Sequence, residues 1–393
     1  MRPFTENEKK FVMEHLQEQP SALMLQAHRY SELPVPELVK QIQARQKAMG
    51  KLPAWALNPE LIFPANISVE QSSSEATAAF KSSLVSGKLL ADLTGGFGAD
   101  SYYFAKSFEQ VIHVEQNQEL SEIADYNFKA LGAANIQTIA TTAAAFLQSF
   151  TGYANVLYLD PARRGDRAEK LHLLQDCEPD VLGLLPQLLQ KADKVLLKTS
   201  PMLDIDLAIA QLGMVAKVWV IAVQNECKEV LYLLQQNPPE QLQIQAVNIK
   251  NDGTLSTFTF TTAQEQTIAA PYSDPLTYIY EPNAAILKAG AYKSIAQQYS
   301  LFKLHPNSHL YTSDVLLPDF PGRAFVCTSV SRFNKKELLA KLPQKQANIT
   351  VRNFPDSVAN IRKKTGIREG GNNYLFFTTD MHQKPIVLFC EKA

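Results

Sequence analysis

The nine residues from Asp92 to Asp100, DLTGGFGAD, constrain this chain more than any other stretch. They separate an apolar run, KLLADLT, from DSYYFAKSF, whose apolar residues have helical spacing, so the chain is expected to pass from strand into helix here. Gly95, Gly96 and Gly98 let the backbone turn tightly and approach a ligand, while the next helix offers unpaired N–H groups at its start. A bare strand-to-helix connection would explain the glycines alone, but not the acidic residues in register with them. Glu115 ends the following apolar run and is placed to take two ribose hydroxyls. A dinucleotide fingerprint needs G-x-G-x-x-G, and Ser101 stands where its third glycine belongs. Asp92, just before the turn, suits an ammonium group and would repel a pyrophosphate.

The surrounding pattern fixes the fold class. KLLADLT, QVIHVEQ, NIQTIAT, NVLYLDP, KVLLKTS and VWVIAVQ alternate with amphipathic segments such as LSEIADYNFKALG and PDVLGLLPQLLQKA. Strands separated by helices imply an α/β, Rossmann-like parallel sheet covered on both faces. LQIQAVNIK and TLSTFTFTT, parted by Asn251-Asp252-Gly253, read as an antiparallel hairpin at the end of that sheet. Residues 1 to about 80 read as helices punctuated by proline. From TYIYEP onward a second α+β region begins, and AFVCTSVSRF, NKKELLAKL, NITVRNF, DSVANIRKKT, YLFFTTD and PIVLFCE read as β-α-β-α-β-β. The expected domains are a helical region at 1–75, a cofactor-binding domain at 76–265, and two smaller units at 272–321 and 322–393.

Composition narrows the class further. At 393 residues, 46% apolar and 20% charged, the chain has room for two or three domains and is no collagen, disordered tail or disulfide scaffold. No window approaches the ~20 apolar residues of a membrane span, and MRPFTENEKKF lacks the apolar stretch of a signal peptide, so a cytoplasmic protein is expected. Cys177, Cys227, Cys327 and Cys390 are scattered without a CxxC pair, and His305 and His309 flank a Pro-Asn-Ser turn without a third ligand, so neither a metal nor a redox dithiol is expected. The formal net charge of −1 conceals an asymmetry: from Arg323 onward 13 Lys and Arg face 5 Asp and Glu, a net of +8, leaving −9 for residues 1–322. A basic module on an acidic body is the footprint of a phosphate-backbone binder, or else a solvated face.

Over about residues 70–262 the chain resembles the class I S-adenosylmethionine-dependent methyltransferases. That resemblance implies S-adenosylmethionine as cofactor, lined by Asp92, Thr94, Gly95, Gly96, Gly98 and Asp100, with Glu115 on the ribose and Gln116 beside the adenine. Where the family often has an Asp contacting the adenine amino group, NIQTIATTAAAFL has Thr142, whose oxygen can accept a hydrogen bond. EQSSSEATAAFKSSL resembles the element preceding the glycine turn in cap trimethylguanosine synthases. Ser74, Glu75 and Thr77 would then roof the pocket, the alternative being a plain helix N-cap.

YLDPARRG, at the end of the fourth run, must face the same crevice as the glycine turn, because ligands of open parallel sheets bind beyond the carboxyl ends of the strands. It resembles the D/N-P-P-x motif of enzymes that methylate nitrogens of planar bases. Asp160 and Pro161 would then hold the target amine, while Arg163 or Arg164 stacks on the base or takes a phosphate. C5 methylation of a pyrimidine needs a cysteine nucleophile, and Lys198-Thr199-Ser200-Pro201 has none where those enzymes carry it. Transfer to nitrogen requires chiefly positioning. Lys198 is either a substrate phosphate contact or a strand-end lysine reaching solvent.

EPNAAILKAGAYKSIA, LHPNSHLYTSD, DFPGRAF and RNFPDSVANIRKKTGIREGGNNYLFFTT resemble the ferredoxin-like and THUMP-like modules of a bacterial methyltransferase family, and the resemblance spans nearly the whole chain. It implies a partner in structured RNA, tRNA or rRNA, with Arg352, Arg362, Lys363, Lys364 and Arg368 facing it beside Gly370 and Gly371. The leading expectation is an RNA base-nitrogen methyltransferase. Its rivals are an RNA-binding protein without catalysis and an enzyme acting on a protein or small molecule.

Overall fold

The structure, a computed structural model, describes residues 2–64, 66–163 and 174–393, with backbone alone at 66, 67 and 163. It divides into two compact units, Met1–Val218 with Glu229–Pro239 and Trp219–Lys228 with Glu240–Ala393.

The first unit opens with helices, chiefly Glu6–Glu14, Val35–Ala48 and Glu75–Leu84. Arg45 is 2% exposed, and its guanidinium donates to the carbonyls of Ala56, Asn58 and Leu61 at 2.6–2.8 Å, which folds the KLPAW segment back onto its own helix. Trp55 and Phe63 thereby reach Phe97 of the glycine turn, with ring centroids 5.1 and 5.2 Å away. Asn127, fully buried, clamps the Ile62 N–H and carbonyl at 2.8 Å each. The helical lead-in thus supports the turn from behind.

The strands follow as the sequence implies: β1 (Gly87–Asp92), β2 (Phe108–Glu115), β3 (Ile136–Ala140), β4 (Ala154–Leu159) and β5 (Ala192–Thr199) pair in parallel in the order β5-β4-β1-β2-β3. The centres of β1, β4 and β5 are continuous apolar runs, as expected of strands covered on both faces. β6 (Val215–Val223) is next in the chain, and then comes a strand that the alternating pattern did not announce, β7 (Glu226–Leu234), antiparallel to β5. Gln224 and Asn225 between them both have φ near +60° (+52° and +64°), the geometry of a two-residue hairpin turn made without glycine. β8 (Gln243–Ile249) and β9 (Leu255–Thr261) form the expected antiparallel hairpin. Strand order among the described residues is β9-β8-β6-β7-β5-β4-β1-β2-β3, so the sheet is mixed.

In the second unit, to which β8 and β9 also belong, β10 (Tyr278–Pro282), β11 (Tyr311–Ser313), β12 (Gly322–Ser331), β13 (Asn348–Arg352), β14 (Tyr374–Thr379) and β15 (Pro385–Lys392) build a separate sheet, ordered β11-β10-β12-β15-β14-β13 with the short strand Phe302–Lys303 beyond β11. Alternation along β14 and β15 divides two cores. Leu375, Phe377, Val387 and Phe389 pack under the helices Lys335–Lys341 and Val358–Thr365. Phe376, Leu388 and Cys390 face Ile279, Leu304 and Phe325. The β-α-β-α-β-β reading of residues 322–393 is the observed order.

Candidate active site

β1 ends at Asp92, and the chain turns through Thr94–Gly98 into the helix Ala99–Phe104. Gly96 (φ +56°) and Gly98 (φ +93°) occupy the left-handed region that L side chains avoid. Gly95 meets a different constraint, since a Cβ there would lie 2.2 Å from Cε1 of His113. Asp92 sits beneath the turn at 1% exposure. It accepts from the Thr94 N–H (3.1 Å) and the Ser101 hydroxyl (2.7 Å), and Ser101 also bonds His113 Nδ1 at 2.9 Å. Ser101, where a dinucleotide fingerprint would carry glycine, is therefore a brace of the turn. Burial pushes the Asp92 carboxyl up to about 7 and the His113 imidazole down to about 3.

Beside the turn lies a nearly dry cluster of five charges. Lys81, 0% exposed, reaches Asp100 Oδ1 at 3.0 Å, both Glu229 oxygens at 3.1 Å and the Ser73 hydroxyl at 2.8 Å. Lys198 pairs with Asp160, approaches Glu229 at 3.9 Å and contacts Ser73 at 3.3 Å. Ser73 and Tyr158 each donate to Asp100 Oδ2 at 2.8 Å. Burial would raise the Asp100 carboxyl, but Lys81 and Lys198 outweigh it and hold the group below its ordinary value. Burial opposes the charge on Lys198 as well, and Asp160, Glu229 and Asp100 together overcome it, so its ammonium is held. Asp160 is the open member, its side chain 30% exposed. Its backbone N–H donates to the Thr94 hydroxyl at 2.6 Å, tying the end of β4 to the glycine turn. Three carboxylates face two lysines.

The remaining expected residues are placed as follows. Glu115 is half-buried and accepts from the Gly96 N–H (2.8 Å) and the Asn117 N–H (2.7 Å); Gln116 is exposed. Thr142, exposed, caps the helix Ala143–Ser149 through the Ala145 N–H. Ser74 caps the helix Glu75–Leu84 through the Thr77 N–H, and the Glu75 carboxylate holds the Ala54 N–H at 2.8 Å. Thr77 is buried. Pro161 is half-buried, and Ala162–Arg163 forms a short strand against Cys177–Glu178. Arg164 and the side chain of Arg163 lie outside the described residues.

In the second unit three of the five basic residues expected to face RNA are engaged within the protein. Arg352 and Arg323 both pair with Glu281. Arg362 pairs with Glu369 and donates to the carbonyls of Ile367 and Ala347. Lys364 pairs with Asp356 at 2.7 Å. Lys363 and Arg368 are exposed. His305 bonds Asn307, Asn353 and Gln383, and His309 stacks on Tyr292 at 3.6 Å.

Sequence reasoning missed Ser73, Lys81, His113, Tyr158 and Glu229. One signal was available: Lys81 lies three residues after Ala78 on the inward stripe of its helix, where a lysine requires a buried partner. Glu229 had none, because its strand was not foreseen.

Two family descriptions match the carboxyl-terminal region, a ferredoxin-like domain over residues 278–321 and a THUMP domain-like one over 322–392. The crystal structure of a Porphyromonas gingivalis W83 protein described as a candidate methyltransferase is similar over 100% of both chains, at 33% identity and a TM-score of 0.88. Fainter similarity extends to a tRNA m1G37 methyltransferase from M. jannaschii (11% identity, 42% of this chain, 51% of that chain, TM-score 0.31). An rRNA methylase from Streptococcus thermophilus is similarly distant (12% identity, 41% of this chain, 93% of that chain, TM-score 0.31). Likeness of that degree says nothing about substrate. No curated protein matches this chain.

Proposed function

We propose a reaction from an established premise: the chain belongs to the methyltransferase family that carries ferredoxin-like and THUMP-like domains at its carboxyl terminus. It transfers a methyl group from S-adenosylmethionine to a base nitrogen of structured RNA in the cytoplasm, with an exocyclic amine as the favoured acceptor. The observation that carries this reading is the Thr94–Asp160 bond, which ties the glycine turn to the Asp160-Pro161 loop.

The residues present fit the cofactor. A Cβ at Gly96 would meet nothing nearer than 3.9 Å, so the turn is open there to a ligand. The excess carboxylate in the adjoining cluster favours a cationic group. Thr94, Gly95, Gly96 and Gly98 would line it, with Asp92 and Asp100 supporting the turn, Glu115 on the ribose, and Gln116 and Thr142 near the adenine. When bound, S-adenosylmethionine supplies an electrophilic methyl on a positively charged sulfur. Asp160 and Pro161 hold the acceptor amine. Because Lys198 stays an ammonium against Asp160, that carboxylate serves to orient, and catalysis comes from alignment. The net +8 of residues 323–393 supports an RNA partner.

Calorimetric titration with S-adenosylmethionine and S-adenosylhomocysteine tests the reading. Binding should be lost in Gly96→Val and Glu115→Ala proteins that remain folded. Absence of binding to the intact protein, with and without RNA, would sink the enzyme reading. Turnover insensitive to salt would favour a small-molecule acceptor.

A further inference from the structure

All four cysteines are reduced thiols, but two of them are placed together. Cys327 on β12 stands directly opposite Cys390 on the antiparallel β15. The Cys327 N–H donates to the Thr277 carbonyl at 2.9 Å, away from β15. Because the N–H and C=O of one strand residue point to the same side, Cys327 and Cys390 exchange no backbone hydrogen bond. Non-bonded antiparallel pairs hold their Cα atoms about 4.5 Å apart, within the roughly 4.4–6.8 Å range of a disulfide. Both side chains project to the same face, where Cys327 packs against the cluster that contains Cys390. The register shift that follows Cys327 places an extra residue, Thr328, in β12 and gives the strand local freedom to adjust.

We propose that Cys327 and Cys390 are a modification site that closes to a disulfide in the presence of a peroxide-class oxidant, tying the first strand of the THUMP-like module to its last. Cys327, half-buried, is the more exposed of the two residues, while Cys390 is 2% exposed. The Cys390 thiol hydrogen-bonds Cys327, which lowers the Cys327 thiol below its ordinary value and raises Cys390. The Cys327 thiolate attacks the peroxide, forming a sulfenic acid and releasing hydroxide. The Cys390 sulfur then displaces the sulfenic oxygen, which leaves as water, and the S–S bond forms. Two thiols and one hydrogen peroxide give one disulfide and two waters.

The full-length protein is treated with graded hydrogen peroxide, unfolded, alkylated and mapped by mass spectrometry. The expected result is a linked Cys327–Cys390 peptide pair, a loss of two alkylatable thiols and a mass lower by two hydrogens, reversed by a thiol reductant. Cys177 and Cys227 should remain alkylatable. In Cys390→Ser, Cys327 should stop at a sulfenic acid trapped by dimedone. Over-oxidised Cys327 beside a still reduced Cys390 would overturn the proposal. So would survival of both thiols at a peroxide dose that oxidises them in the urea-unfolded chain.

Discussion

Lys81 is the residue whose removal should cost most, because Asp100 and Glu229 would lose their buried counter-charge. Breaking a buried pair by deleting one partner costs about 3–5 kcal/mol. Urea denaturation of Lys81→Met should show a loss of that order, and adding Glu229→Gln should recover part of it. A loss below about 1 kcal/mol would show that water screens the cluster. Asp92 and His113 make a second prediction about pH. Asp92 is raised from 3.8 to about 7, so across that window the folded chain holds a proton that the unfolded chain releases, and stability falls as pH rises. His113 is lowered from 6.5 to about 3, so there the unfolded chain binds the extra proton and stability rises with pH. Between about pH 4 and 6.5 the two slopes oppose each other. Asp92→Asn should leave only the rise, visible in urea midpoints; a profile parallel to the wild type would refute these titrations.

At the scale of elements, the helix Glu75–Leu84 has two readings that one variant separates. Ser74 caps it through the Thr77 N–H at 3.2 Å. If Ser74 is only a cap, Ser74→Ala should lower stability by about 1 kcal/mol with cofactor affinity unchanged. A roof over the pocket predicts weaker cofactor binding as well, read by the same calorimetry. The elements themselves followed from periodicity wherever a strand alternated with a helix. β7 escaped because ECKEVLYLL follows VWVIAVQ directly, and the Gln224-Asn225 turn carries neither Gly nor Pro as punctuation. Missing that strand meant missing Glu229, which lies just beyond the Thr199–Val230 pair at the end of β5.

For the whole molecule, the proposed RNA partner draws on the charge asymmetry between residues 323–393 and the rest, yet net charge overstates the surface available to it. Arg352, Arg362 and Lys364 spend their charge on Glu281, Glu369 and Asp356, whereas Lys363 and Arg368 are exposed. Removing one cation that neutralises a phosphate should reduce the salt slope of RNA binding by about 0.7–0.9. Lys363→Ala with Arg368→Ala should therefore flatten the slope by about 1.5 without altering the thermal midpoint. Arg362→Ala should lower the midpoint, because its guanidinium holds two backbone carbonyls. An unchanged slope in the double variant would place the RNA elsewhere on the protein.

The sequence by itself determined the order of strands and helices except for β7, together with the glycine turn, the Asp160-Pro161 loop and the basic carboxyl-terminal module. Each of these is written in local periodicity, in residues that a tight turn demands, or in simple charge arithmetic. Only the tertiary structure decided which charged residues meet. Ser73, Lys81, Asp100, Asp160, Lys198 and Glu229 span more than 150 residues of chain and converge because parallel strands end side by side and β7 returns antiparallel to β5. Likewise, folding buried Asp92 beneath the turn and paired off three of the five basic residues assigned to RNA. A charge's partner depends on distance through space, which one-dimensional spacing does not encode.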